Sequence, residues 1–244
     1  MKTLERKLAI TIDVDGTLLK SKAAEFITLA AGILRKDEGT LAANRFPRLS
    51  KLQGVYHRHQ TLESEALTGL HLLEETAANH KIGVSCILLS DRGSHLSEAT
   101  QDSLMKHGIA GFFDAVMLNS GLRSRNWKAS FIIKLLDSGC NVVHIDDDMR
   151  RAIQIAELNG INGKTVFSYV KRNISTNKAI LRLSGIDSTE MPNNLVFVNG
   201  LEEMARHLIS SLESGELLKG LRRAGRAVPG KSIAGSRRSL VSSL

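Results

Sequence analysis

Asp13 and Asp15 are the residues of this sequence whose type and spacing most plainly invite chemistry. They stand in Asp13-Val14-Asp15-Gly16-Thr17-Leu18, straight after the apolar, β-branched run of residues 7–13 (KLAITID). That run reads as a buried strand. Side chains two apart on a strand point to the same side, so both carboxylates can face one pocket while Gly16 lets the chain turn. Two neighbouring carboxylates repel unless a cation or a proton intervenes. Mg2+ answers that need, because it prefers hard oxygen ligands and carries phosphate with it. The chemistry expected is covalent catalysis: Asp13 attacks phosphorus to form an aspartyl-phosphate, and Asp15 protonates the leaving oxygen and then deprotonates the attacking water. A calcium loop starting at Asp13 would need Gly and Glu where Leu18 and Ala24 stand, so that reading fails.

The hexapeptide DVDGTL resembles the first motif of phosphatases of the haloacid dehalogenase-like (HAD) superfamily, whose pattern is DxDGT. The resemblance implies three further motifs in fixed order. A strand-end Ser or Thr that hydrogen-bonds the phosphoryl group corresponds to Ser90, followed by Asp91-Arg92-Gly93. With Thr17, these make Ser90, Asp91 and Arg92 the expected substrate-binding set. A Lys near the start of the helix before the fourth strand corresponds to Lys128, with Lys134 and Arg125 as weaker alternatives. It would neutralise the nucleophile and the transferring phosphoryl group. The last motif is an acidic pair after the fourth strand, met by Asp146-Asp147-Asp148. Three consecutive Asp are costly without a cation or a helix N-terminus nearby. The resemblance makes Asp146 and Asp147 metal ligands alongside Asp13 and Asp15, and Asp148 suits the N-cap of the next helix. Many members carry another acid four or five residues later; here Arg151 and Ala152 stand there.

The elements around these residues alternate. Strands are expected at residues 82–89, 115–118, 141–145, 165–170 and 195–198, and helices at 62–79, 94–107, 127–138, 149–159 and 201–212, with Ser94 a plausible N-cap. Alternation of this kind argues for an α/β fold with a doubly wound parallel sheet, in which ligands bind beyond the carboxyl ends of the strands. Residues 160–165 (GINGKT) have the wrong spacing for a phosphate-binding P-loop. His57-Arg58-His59 lacks a third ligand and reads as polar surface, and residues 171–194 carry no assigned role.

Residues 1–19 and 63–213 are expected to form the catalytic core. Residues 20–62 form an insert, which the resemblance implies is a small helical cap over the site. Its eight Lys and Arg against three acids favour an anionic phosphorylated substrate. Residues 214–244, with seven Lys/Arg and one acid, read as a disordered basic tail and supply most of the net charge of +8. Such a tail could hold nucleic acid, although aromatics make up only 4% of the chain and stacking platforms are sparse. No apolar stretch approaches the ~20 residues of a membrane helix. Two cysteines in apolar surroundings suit small buried residues in a reducing cytoplasm. The function expected is Mg2+-dependent hydrolysis of a phosphorylated metabolite or nucleotide. The alternatives are a nucleic-acid-end phosphatase, a phosphomutase, or a binding protein that has kept the fold; dehalogenation is disfavoured, since it needs neither Asp15 nor the metal.

Overall fold

The computed structural model describes residues 7–20, 54–80, 83–119, 126–171 and 191–214. Most of the expected cap (21–53), nearly all of the basic tail (215–244) and Arg125 lie outside the described residues.

Six parallel strands form the sheet. In chain order they are β1 (Lys7–Ile12), β4 (Gly83–Gly93), β5 (Ala115–Asn119), β6 (Asn141–Asp146), β7 (Val166–Lys171) and β8 (Leu195–Val198). Their spatial order is β5-β4-β1-β6-β7-β8, every neighbouring pair being parallel. From β1 the chain moves outward to β4 and β5, then crosses back to place β6 on the other side of β1. The crevice between the carboxyl ends of β1 and β6 is therefore the topological switch point, where ligands of such sheets bind. Asp13 follows β1 and Asp146 ends β6, so the first and last motifs meet there.

The strand period of two sorts the core into layers. Leu8, Ile10 and Ile12 pack with α1 (Ala66–His80) and α5 (Leu201–Glu213), joined by Leu104 of α2 (Ser97–Lys106). Ala9 faces the opposite way, with Ile132 and Leu136 of α3 (Trp127–Asp137) and Ile155 of α4 (Met149–Ala156). Full burial of each Leu or Ile stabilises by about 1.5–3 kcal/mol, which fixes the register as well as the layer. Asp13 shares parity with Ala9 and so belongs to the face that α3 covers, the helix that carries Lys128.

Several boundaries differ from the sequence reading for local reasons. The helix expected from residue 62 starts at Ala66, because β3 (Thr61–Leu62) pairs antiparallel with β2 (Leu19–Lys20) at the stem of the insert. Lys20 thus belongs to that stem. The second large strand does not stop at Leu89 but continues irregularly through Ser90 to Gly93, with a register shift between those two residues. Ser94 opens a single 3-10 turn without a side-chain cap, and α2 begins three residues later. Helix α4 ends at Ala156 rather than at 159. Both cysteines are half-buried rather than buried, and burial pushes the Cys86 thiol up to about 12. Asp148 is the N-cap of α4, accepting from the Arg150 amide at 2.9 Å, an interaction of about 1 kcal/mol.

Candidate active site

Each acid reaches the switch point by a separate local device. Asp13 is positioned by its own amide, which donates to the Ile145 carbonyl at 3.0 Å and ties the end of β1 to β6. Gly16 turns the following loop with φ +78°, and a Cβ there would overlap the Asp147 carboxylate. A glycine is needed on both counts, conformation and close approach. The Lys171 ammonium, at the end of β7, donates to the Gly16 carbonyl at 2.7 Å and pairs with Glu63 at 2.7 Å, bracing this loop against the stem of the insert. Asp146 accepts from the Asp148 amide at 2.9 Å.

Asp13, Asp146 and Asp147 each offer a carboxylate oxygen, all lying within 4.8 Å of one another. Lys128 is the counter-ion. Its side chain is 2% exposed and its ammonium donates at 2.7 Å to Asp13 and at 2.7 Å to Asp146. Lys134, the alternative on the same helix, is exposed. His144, wholly buried on β6, sits 2.8 Å from the Thr11 hydroxyl and 3.4 Å from Asp146, and burial lowers its pKa.

The electrostatics divide the acids. Burial works to raise Asp146, but Lys128 and then His144 outweigh it and hold the carboxyl well below its usual range. Burial raises Asp13 well above the usual range; Lys128 opposes this, while Asp146, Asp147 and Asp15 add to it. Asp147 rises to about 8, through burial and then the charge of Asp146. Lys128 keeps its charge: burial would lower its pKa, yet Asp13, Asp146 and Asp91 raise it further. Two carboxyls that prefer protons, clustered with a third that is ionised, are the pattern a divalent cation relieves. The hard-oxygen donor set fits Mg2+, with Asp13, Asp146 and Asp147 as the side chains to hold it.

Asp15 does not join that group through its side chain. Its side chain is 40% exposed, and its carboxylate accepts from Arg92 Nε at 2.8 Å and Nη2 at 2.7 Å, and from Gln60 Nε2 at 2.6 Å. Burial would raise its pKa, but the Arg92 charge and hydrogen bonds, with His57 and Gln60, hold it well below the usual range. Arg92, expected to bind phosphate, spends its guanidinium on Asp15, Gln60 and the Thr100 hydroxyl. Ser90 is buried, its hydroxyl accepting from the Arg92 amide at 3.3 Å. Asp91 accepts from the Trp127 indole at 2.5 Å and lies 3.7 Å from Lys128 and 3.5 Å from Arg151. Thr17 keeps a buried hydroxyl without a hydrogen-bond partner.

His57 is not the polar surface its sequence neighbours suggested. Its side chain is 12% exposed and Nδ1 lies 3.7 Å from Asp15. Gln60, Thr11, His144 and Lys171 were also missed as site residues, since no local pattern marks a Gln, a Thr, a His or a strand-end Lys for such a role. The one usable signal was the position of Thr11 and His144, each two residues from a motif acid with side chains on the same side of its strand.

This constellation sits on a recognisable scaffold. A HAD phosphatase from Thermococcus onnurineus aligns over 82% of this chain and 97% of its own, with a TM-score of 0.50 at 15% identity. A dehalogenase aligns over 86% of this chain and 99% of its own, with a TM-score of 0.53 at 12% identity. The chain has the haloacid dehalogenase-like fold. A further L-2-haloacid dehalogenase shares the HAD-like fold over 83% of this chain and 99% of its own, at 11% identity and a TM-score of 0.51. No family model matches the sequence. No curated protein matches it either. Identities this low carry the HAD-like fold and not the reaction, since one fold hosts several chemistries. Among the described residues, no helix is long and apolar enough to cross a membrane.

Proposed function

We propose that this chain is a Mg2+-dependent phosphohydrolase acting on a phosphorylated metabolite or nucleotide. The observation that carries the reading is the buried Asp13–Lys128–Asp146 arrangement with Asp147 within ligand distance. Attack by a carboxylate on carbon bearing a halide requires no such acid cluster, whereas a phosphoryl group brings negative charge that has to be balanced. Bound Mg2+ supplies charge neutralisation for the phosphate and for the clustered carboxylates.

The chain's own groups divide the work. An Asp13 oxygen forms a bond to phosphorus as the bond from phosphorus to the leaving oxygen breaks, and Asp15, which must take up a proton against the pull of Arg92 that keeps it ionised in the free site, delivers that proton to the leaving oxygen. Water then attacks the aspartyl-phosphate and gives its proton to Asp15, the P–O bond to Asp13 breaks, and Asp13 is restored. The proton gained by Asp15 serves the next leaving group. The two acids differ in access as this scheme needs: the Asp13 side chain is 7% exposed and that of Asp15 is 40% exposed. Lys128 keeps Asp13 oriented and balances the charge gathered around it. Thr17, with its unpartnered hydroxyl, and Ser90 are the side chains we assign to the phosphoryl oxygens, and the two free cysteines suit a reducing cytoplasm.

The test is phosphate release from 4-nitrophenyl phosphate with Mg2+ or with chelator, for the wild type and Asp13→Asn. Release is expected only for the wild type with Mg2+. Turnover that survives in Asp13→Asn overturns the mechanism.

A further inference from the structure

Gln60 is 1% exposed and comes from the return limb of the insert, not from any of the four motifs. Its amide spans the gap between Asp15 and Arg92: Nε2 donates to Asp15 Oδ1 at 2.6 Å, and Oε1 accepts from Arg92 Nη2. A carboxylate only accepts and a guanidinium only donates, so the bridging group must donate on one side and accept on the other. Gln meets that requirement. Glu would set a second acceptor against Asp15, and an apolar side chain would satisfy neither partner.

The limb that carries Gln60 is itself anchored. The Ser103 hydroxyl donates to the His57 carbonyl at 2.5 Å. His107 Nε2 lies 2.9 Å from the Gln60 carbonyl, which can only accept. Arg58 pairs with Asp102 at 3.0 Å and Glu98 at 3.4 Å. All four partners lie on α2 or at its C-terminus, and Arg92 itself donates to Thr100 of α2 at 3.0 Å. Both groups that grip Asp15 are thus referred to one rigid helix.

We propose that Gln60 is a positioning residue that fixes the rotation of the Asp15 carboxylate, in concert with Arg92, for proton delivery to the leaving oxygen. The proposal rests on the phosphohydrolase reading. It gives the limb at residues 54–62 a part in the acid–base step.

The experiment compares the full chain with Gln60→Met, which removes both hydrogen bonds at similar volume, and Gln60→Glu, which keeps the shape and the Arg92 partner. The readout is kcat/KM for phenyl phosphate and for 4-nitrophenyl phosphate, because this ratio reports steps up to departure of the leaving group. Phenol leaves poorly without a proton and 4-nitrophenolate leaves readily. Either variant is expected to lose about tenfold more kcat/KM on phenyl phosphate than on the nitrophenyl ester. A merely structural role would lower both alike, so equal losses, or none, overturn the proposal. Should Gln60→Met fail to fold, Gln60→Glu carries the same comparison. Should the wild type release phosphate from neither ester, the phosphohydrolase reading fails on its own. The positioning contact is then judged by a double-mutant cycle in Tm with Gln60→Glu and Asp15→Asn: non-additive shifts retain it and additive shifts overturn it.

Discussion

At the residue scale, Lys128 decides how two buried acids and a half-buried third coexist. One ammonium lies at 2.7 Å from both Asp13 and Asp146, so its removal leaves two carboxylates without their cation. Breaking one partner of a buried ion pair costs about 3–5 kcal/mol, because the charge left behind is uncompensated. Lys128→Met is therefore expected to lower stability by about that amount in chelator, measured by urea unfolding, and to recover part of it in Mg2+. Phosphate release should fall by about a hundredfold or more even with saturating Mg2+. A variant as stable as wild type in chelator would contradict the counter-ion role. The DVDGTL hexapeptide made Asp13 and Asp15 legible in the sequence, and the Asp146–Asp148 run pointed to a cation. Which acid does what was not legible. Asp148 caps α4, Asp147 meets Asp13 across the sheet, and Asp15 turns to Arg92, all through contacts between segments far apart in the chain.

At the element scale, the alternation of apolar strands with amphipathic helices announced the sheet, and the strand at 195–198 was read with its observed limits. The misses lie where two segments meet. The stem pairing of β2 with β3 shortens α1, and no window around residue 62 contains its partner at residue 19. Close approach of α1 and α5 is a similar case. A Cβ at Gly69 would lie 2.7 Å from the Glu202 nitrogen and 2.7 Å from the Leu201 carbonyl carbon, backbone atoms that cannot yield cheaply. Helix propensity alone would have Gly69→Ala stabilise by about 1 kcal/mol. Overpacking costs about 1–3 kcal/mol, and here it should prevail. The urea midpoint of Gly69→Ala is expected to drop, while Gly111→Ala, with nothing within 4 Å, should change little. A higher midpoint for Gly69→Ala would show that the two helices can separate at little cost.

At the scale of the whole molecule, the clustered acids couple stability to pH and to metal. Asp147 rises from its unfolded value of 3.8 to about 8, and Asp13 rises as well. A carboxyl whose folded pKa is raised contributes stability that is fully present below the unfolded value and is lost as pH climbs through the folded one. Without metal, this contribution should drain away between about pH 4 and pH 8. Mg2+ binds the deprotonated form, so its stabilisation grows over the same window. Thermal melts in chelator and in excess Mg2+ should show a larger metal-induced rise in Tm near pH 8 than near pH 6. An equal or smaller rise near pH 8 would mean that the acids are ionised before the metal arrives.

The sequence by itself determined the layer architecture, the strand after which the first acid pair stands, and the order of the four motifs, because periodicity and short-range spacing are local properties of a chain. Only the tertiary structure decided that the ends of β1 and β6 lie side by side, that α3 delivers Lys128 between two acids, and that Gln60 and Arg92 claim Asp15. Those outcomes depend on which strands become neighbours. Neighbourhood is set by burial of the whole sheet between its helices, which no single window of residues encodes.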